Sequence, residues 1–221
     1  MSDHENIRDL YLNKPYEAST LSKLESHVET QFNSGNYDFE ANKALLKIYQ
    51  CYPDLLKVNI LEKVLVLSMM KFPKNDFLML SFLINSKSIV NNDKIKFIEN
   101  SFSLLENGKF MEFWAEYSTP LGKEIFIASK FKEAIQNFII NNLQIAFKTI
   151  SAKLFLGMMG SSNEDLNSYC ASSKHIEGIN NDIISFSSNY ENQIRSKHFE
   201  EILRFDEAQR LVSSIKKASL N

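Results

Sequence analysis

Six glycines and four prolines in 221 residues leave few places for tight turns. Strand-rich folds need more punctuation than this, so the scarcity points to helices separated by a few sharp breaks. Cysteine is scarcer still: Cys51 and Cys170 stand far apart, with no Cys-x-x-Cys or Cys-His spacing. That pattern suits a reducing compartment, and neither a disulfide nor a thiolate metal site is expected. An excess of one charge is also lacking, since 25 basic and 27 acidic side chains leave a net charge of -2. No global field draws such a chain to nucleic acid or to an anionic membrane. No apolar run approaches the ~20 residues a membrane-spanning helix needs. The opening Met1-Ser2-Asp3-His4-Glu5 lacks the apolar core of a secretory signal, so a cytoplasmic chain is expected, with the nucleus as a second compartment.

The templates of catalysis are missing as well. The sequence contains no G-x-G-x-x-G, no G-x-x-x-x-G-K-[ST], no H-E-x-x-H, no G-x-S-x-G and no EF-hand loop. Its four histidines, His4, His27, His175 and His198, are scattered among different segments, with nothing to position them as ligands. The expectation is a protein that is not an enzyme and holds no cofactor and no metal.

What the chain does have is 17 Phe, 8 Tyr and 7 Met, the material of an aromatic-rich helical core. A chain of this length can bury roughly 70% of its unfolded surface without staples. The organising stretch runs from Tyr37 to Ile84. Asp38 is placed to cap a helix whose apolar positions Ala41, Leu45, Ile48, Tyr49 and Tyr52 keep a single face, and Pro53 forbids its continuation. A second helix carries Val58, Leu61, Leu65 and Met69 and stops before Phe72-Pro73. From Phe77 to Ile84 nearly every position is apolar, which predicts a third helix inside the bundle.

Upstream, the residues to Pro15 predict a short helix or a frayed end, after which Leu21, Leu24, Val28 and Phe32 recur at helical spacing. Ser34-Gly35-Asn36 turns that helix into the next. Downstream, Asn91-Asn92-Asp93 opens a helix with Ile95, Ile98, Phe102 and Leu105 inward, and Phe110, Phe113, Trp114 and Tyr117 mark another. Paired helices on short turns predict a HEAT-like domain, without the period of about 34 residues that tetratricopeptides show. Ser118-Thr119-Pro120-Leu121-Gly122 is the clearest break, and the domain boundary is placed there. A long helix is predicted from Lys123 to Phe147, then a short extended piece Thr149-Ile150-Ser151, a helix from Ala152 to Met159, a turn, and a helix from Asn163 to Lys174. Two strands follow in this reading, Asp182 to Ser187 and Phe199 to Phe205, joined by a polar loop from Ser188 to Lys197. That element order is the order of a winged helix.

Several of these residues also carry a family likeness. Tyr37-Asp38-x-Glu40-Ala41-Asn42, continued by Leu45-Leu46-Lys47-x-Tyr49-Gln50, then Phe72-Pro73-x-x-Asp76-Phe77 and Phe110-x-x-Phe113-Trp114, resemble in order and spacing the subunit K family of eukaryotic translation initiation factor 3. That family is similar to small subunits of the proteasome lid and the COP9 signalosome, and the wider group is built from a helical-repeat domain and a winged helix. The resemblance covers roughly Leu21 to Tyr117 and continues thinly through Ile150-x-x-x-Leu154 and Met158-Met159-Gly160. It implies a mostly α fold: a HEAT-like helical domain over 1–120, a small winged-helix (α+β) domain over 121–205 and a C-terminal interaction helix over 206–221. It further implies a scaffold subunit of the initiation factor, with subunit L as the neighbour and the small ribosomal subunit as an indirect partner.

The C-terminal segment supplies a surface for that role. Ala208, Leu211, Val212, Ile215 and Ala218 make an apolar stripe on a predicted helix from Asp206 to Ser219, and no later part of the sequence covers it. Burying the three large aliphatic side chains contributes about 5 to 8 kcal/mol before entropy is subtracted, whereas so short a helix is marginal alone in water. The stripe either docks on its own domain or on a neighbouring protein, and the resemblance favours the neighbour. Phe199, Ile202, Leu203, Leu211, Val212 and Ile215 are the candidate partner-binding residues. Direct binding of nucleic acid is not expected, because Asn163 to Lys174, where a recognition helix belongs, begins with Glu164 and Asp165 nearby and offers a single Lys. Two alternatives stay open: a scaffold subunit of the proteasome lid or signalosome, and an RNA-binding winged helix using Arg195, Lys197 and Arg204.

Overall fold

In a computed structural model, residues 7–9, 11–12, 16–84, 92–161, 176–180, 182–193 and 205–218 are described. The first hairpin pairs α1 (Leu21–Ser34) with α2 (Phe39–Cys51). Helix α1 ends at Gly35, whose φ of 72° is left-handed. A Cβ there would lie 2.8 Å from the Ser129 carbonyl oxygen, so the turn needs glycine on both counts. Asp38 caps α2 as its sequence position predicts, accepting from the Ala41 N–H at 3.1 Å. The buried amides of Gln31 and Asn42 then exchange two hydrogen bonds of 3.0 and 3.1 Å, and Gln31 Oε1 also accepts the Asp38 N–H. Three satisfied bonds away from water fix the register of this hairpin.

The interior position belongs to α3 (Val58–Met69). Its burial extends beyond the expected stripe to Ile60, Val64, Val66, Leu67 and Ser68, and the Ser68 hydroxyl is satisfied by donating to the Leu65 carbonyl. The sequence expectation put the apolar run from Phe77 to Ile84 in that place, and the structure corrects it. Helix α4 covers only Asp76–Ser81, burying Phe77 and Leu80 while Met79 is exposed and Phe82, just beyond its end, is 83% exposed. A six-residue helix packed on α2 and α3 at the edge of the bundle has one covered face, whatever its composition.

Helix α5 (Asp93–Glu106) starts at Asn92, which accepts from the Lys94 and Ile95 N–H groups, and it buries Ile95, Ile98, Phe102 and Leu105 as predicted. Helix α6 (Phe110–Tyr117) buries Phe110, Phe113 and Trp114. The break at Ser118 is real, and Thr119 restarts the chain by capping α7 (Pro120–Ile125), with proline at the first helical position where its missing N–H costs nothing. The single helix expected from Lys123 to Phe147 is in fact two, because α7 stops at Ile125 and α8 runs from Phe131 to Ala146. Between them Phe126 and Ala128 turn into the core, the Ser129 N–H donates to the Phe32 carbonyl of α1, and Lys130 adopts a left-handed φ of 63°. A segment that gives its backbone donor to another helix cannot also continue its own.

The last part is a small three-stranded sheet with helices on it. Strand β1 (Thr149–Ser151) leads straight into α9 (Ala152–Met159), capped by Ser151. Strands β2 (Ile176–Asn180) and β3 (Ile183–Phe186) form an antiparallel hairpin, and β3 sits in the middle of the order β1-β3-β2 with Ile150 opposite Ile184. The sequence reading paired the 182–187 strand with a later one, Phe199 to Phe205, but the partner found here precedes it, and Phe205 opens α10 (Phe205–Ala218). Asp182, left-handed at φ 61°, makes the tight turn between the two strands. Residues 199–204 and the expected helix from Asn163 to Lys174 lie outside the described residues.

The architecture is thus mostly helical, ending in a small winged-helix-like α+β portion. One hydrophobic core runs through both, from Leu21 to Phe186. The Trp114 Nε1–H donates to the Met158 carbonyl at 2.8 Å, and Gln136 Nε2 donates to the Met159 carbonyl at 3.1 Å. Gly160, at φ 59°, ends α9 where an added Cβ would fall 2.4 Å from the Trp114 ring.

Candidate protein-interaction surface

Helix α10 places its polar and apolar residues on different sides more sharply than α1, α2, α3, α5, α6, α8 or α9. Val212 and Ile215, three residues apart and therefore neighbours on one face, are 55% and 65% exposed. Ala208, one turn earlier, is half-buried. On the polar side Ser213 donates its hydroxyl to the Gln209 carbonyl. Transfer of the two aliphatic side chains out of water onto a partner contributes roughly 2 to 4 kcal/mol. Of the six candidate contacts, Val212 and Ile215 are thereby brought together in the open. Leu211 lies on the same helix, and Phe199, Ile202 and Leu203 lie outside the described residues.

Among the described residues, the β2–β3 wing offers no cation to phosphate. The hairpin from Ile176 to Phe186 carries exposed Glu177 and Asp182 and no Lys or Arg. Counterion release needs several cation-phosphate contacts, and two carboxylates at this edge oppose them. Arg195, Lys197 and Arg204, the basic residues of the RNA-binding alternative, lie outside the described residues.

The titratable groups of the core are tied to packing. Glu25, buried on the inner side of α1, accepts from the Tyr49 hydroxyl at 2.7 Å and pairs with Lys57. Burial, together with that carboxylate, pushes the Tyr49 phenol well above its usual range. Burial and the neighbouring Asp76 carboxylate do the same to Tyr37. Tyr49 thereby joins α2 to α1, and phenols held protonated in this way cannot act as bases near neutral pH. His27 Nε2 lies 3.5 Å from Asp38 Oδ2, joining α1 to the cap of α2. Among the described residues no cluster of three or more His, Cys, Asp or Glu is placed to hold a metal ion, and no helix is long and apolar enough to cross a membrane.

Phe82 and Ile127 are among the exposed apolar residues that the sequence reading does not place at the surface. Phe82 was expected inside with the rest of its run, because continuous apolar sequence gives no face to choose, and Ile127 was assigned to the first turns of a long helix. Interruption of that helix is what puts Ile127, 68% exposed, at the rim of a cleft.

Comparison with known proteins agrees with this architecture. Residues 55–175 match the model of the CSN8/PSMD8/EIF3K family, a span from the turn before α3 to the residue before β2. The chain is 32% identical over 201 residues to the protein named eukaryotic translation initiation factor 3 subunit K from Dictyostelium discoideum, covering 89% of this chain and 78% of that one. It is 29% identical over 200 residues to the Xenopus laevis protein of that name, covering 90% of each. The Brugia malayi protein of the same name is 27% identical over 208 residues, with 86% and 87% covered. A helical bundle closed by a winged-helix-like sheet, matched in sequence through both parts, belongs to the CSN8/PSMD8/EIF3K family.

Proposed function

We propose that this chain is a non-catalytic scaffold subunit of eukaryotic translation initiation factor 3, acting in the cytoplasm and held in the complex by its winged-helix portion and α10. The observation that carries the reading is the pair Val212 and Ile215, large aliphatic side chains turned to water on a sharply amphipathic helix. An apolar helix face of this kind is the surface that lies in another protein's groove or joins a shared helical bundle. Leu211, Phe199, Ile202 and Leu203 are further contacts in this reading. The relatives named as subunit K supply the assembly, and subunit L is the proposed neighbour. In the proposed division of labour, 1–120 is the helical scaffold, 121–205 the docking module and 206–221 the anchoring helix, with the small ribosomal subunit reached through the complex. The acidic wing favours a protein partner over RNA.

The test is incorporation. A tagged chain expressed in eukaryotic cells should bring down the other initiation factor 3 subunits, and Val212→Asp with Ile215→Asp should abolish that recovery while leaving the chain folded. Equal recovery by the double variant would remove α10 from the interface, and recovery of proteasome-lid or signalosome subunits in their place would move the chain to another assembly.

A further inference from the structure

We propose that the cleft between α7 and α8 is a second docking site, taking an acidic protein segment that carries an apolar side chain. The cleft is open, encloses about 570 Å³, and exists only because the chain breaks between Ile125 and Phe131. Lys123, Lys130 and Lys132 stand around it, against Glu133 alone. All three lysines are exposed, and among the described residues their ammonium groups have no hydrogen-bond or ion-pair partner. The nearby carboxylates that could have neutralised them are committed elsewhere: Glu124 pairs with Lys94, while Glu116 accepts from Asn100 and Ser101. A net positive cleft on a chain of net charge -2 is a local feature, and it selects a local anionic partner.

The chemistry of the lining separates a peptide from a nucleic acid. Base binding uses open aromatic faces, yet Phe126 and Phe131 stack on each other with centroids 4.8 Å apart and are buried, and Tyr117 is half-buried alongside them. What the cleft shows to solvent in apolar material is Ile127, an aliphatic side chain at the rim beside the lysines. A segment with Asp or Glu on either side of a Leu or Phe satisfies both features, pairing its carboxylates with the lysines and covering Ile127. The site is separate from α10 in sequence and in the residues that form it, and its existence does not depend on the assembly proposed above.

Fluorescence anisotropy on the full-length chain tests this with three labelled probes: a ten-residue peptide of alternating Glu and Leu, its Lys and Leu counterpart, and an oligouridylate of equal charge. The acidic peptide should bind in a salt-sensitive manner, the basic peptide should not, and Lys123→Glu with Lys132→Glu should weaken the acidic peptide by about tenfold or more. Ile127→Ser should weaken it with the charges intact, whereas Lys23→Glu with Lys96→Glu, on other surfaces, should change little. Failure of the acidic peptide to bind, equal weakening by the control pair, or an oligouridylate that binds and is lost on Lys123→Glu with Lys132→Glu while the peptide is not, would each overturn the proposal. Circular dichroism of every variant confirms that a lost signal is not a lost fold.

Discussion

Gly160 and Trp114 show how a single contact can hold two parts of a chain together. The left-handed φ of Gly160 and the 2.4 Å that would separate an added Cβ from the indole act at one position. Gly160→Ala should therefore destabilise the protein by more than about 2 kcal/mol in urea unfolding, and Trp114→Phe, which strands the Met158 carbonyl, by about 1 to 3 kcal/mol. The two protonated phenols predict a pH response. Below the usual phenol value near 10, folded and unfolded chains both keep the proton and these groups contribute no slope. Above it the unfolded chain releases protons that the folded chain retains, so stability falls by roughly 1 to 1.5 kcal/mol per pH unit for each of Tyr37 and Tyr49. Urea midpoints measured from about pH 9 to 11 should show that loss, and Tyr49→Phe should remove about half of it. At this scale the caps were legible in the sequence, since Asp38 and Asn92 act locally on amides two or three residues ahead. The Gln31–Asn42 exchange was not, because two amides eleven residues apart look like any surface polar pair until a hairpin brings them together.

Helices were read well where a polar face opposed an apolar one, as in α1, α2 and α5, and poorly where that contrast was missing. Helices α3 and the run from Phe77 to Ile84 are both apolar almost throughout, and composition alone could not say which one takes the centre. Length settles it: α3 is long enough to be covered by α1, α4, α5 and α7, and α4 is not. The break between α7 and α8 was hidden for a related reason, as residues 126–130 contain no proline or glycine and the interruption is imposed by contacts with α1. The hairpin was given the wrong partner strand although Asn180-Asn181-Asp182 is a turn signal, because Glu177 and Gly178 dilute the strand pattern of β2. For α10 the amphipathic stripe was plain in the sequence, and Val212 and Ile215 are exposed on it. Their replacement by Asp should alter the unfolding free energy of the isolated chain in urea by no more than about 0.5 kcal/mol, since neither side chain leaves a core. A larger loss would mean that the face supports its own fold.

Across the whole molecule, helical bundle and winged-helix-like sheet share one core, so the chain presents its surfaces in a fixed relation. Such a body suits a scaffold, whose contribution is geometry. Light scattering coupled to size-exclusion chromatography, on the purified chain mixed with recombinant initiation factor 3 subunit L, tests the central claim most directly. A stable complex is expected, with a mass equal to the sum of the two chains, and it should fall apart when Val212 and Ile215 are both changed to Asp. Two separate peaks for the unaltered proteins, or a complex indifferent to that double change, would contradict it.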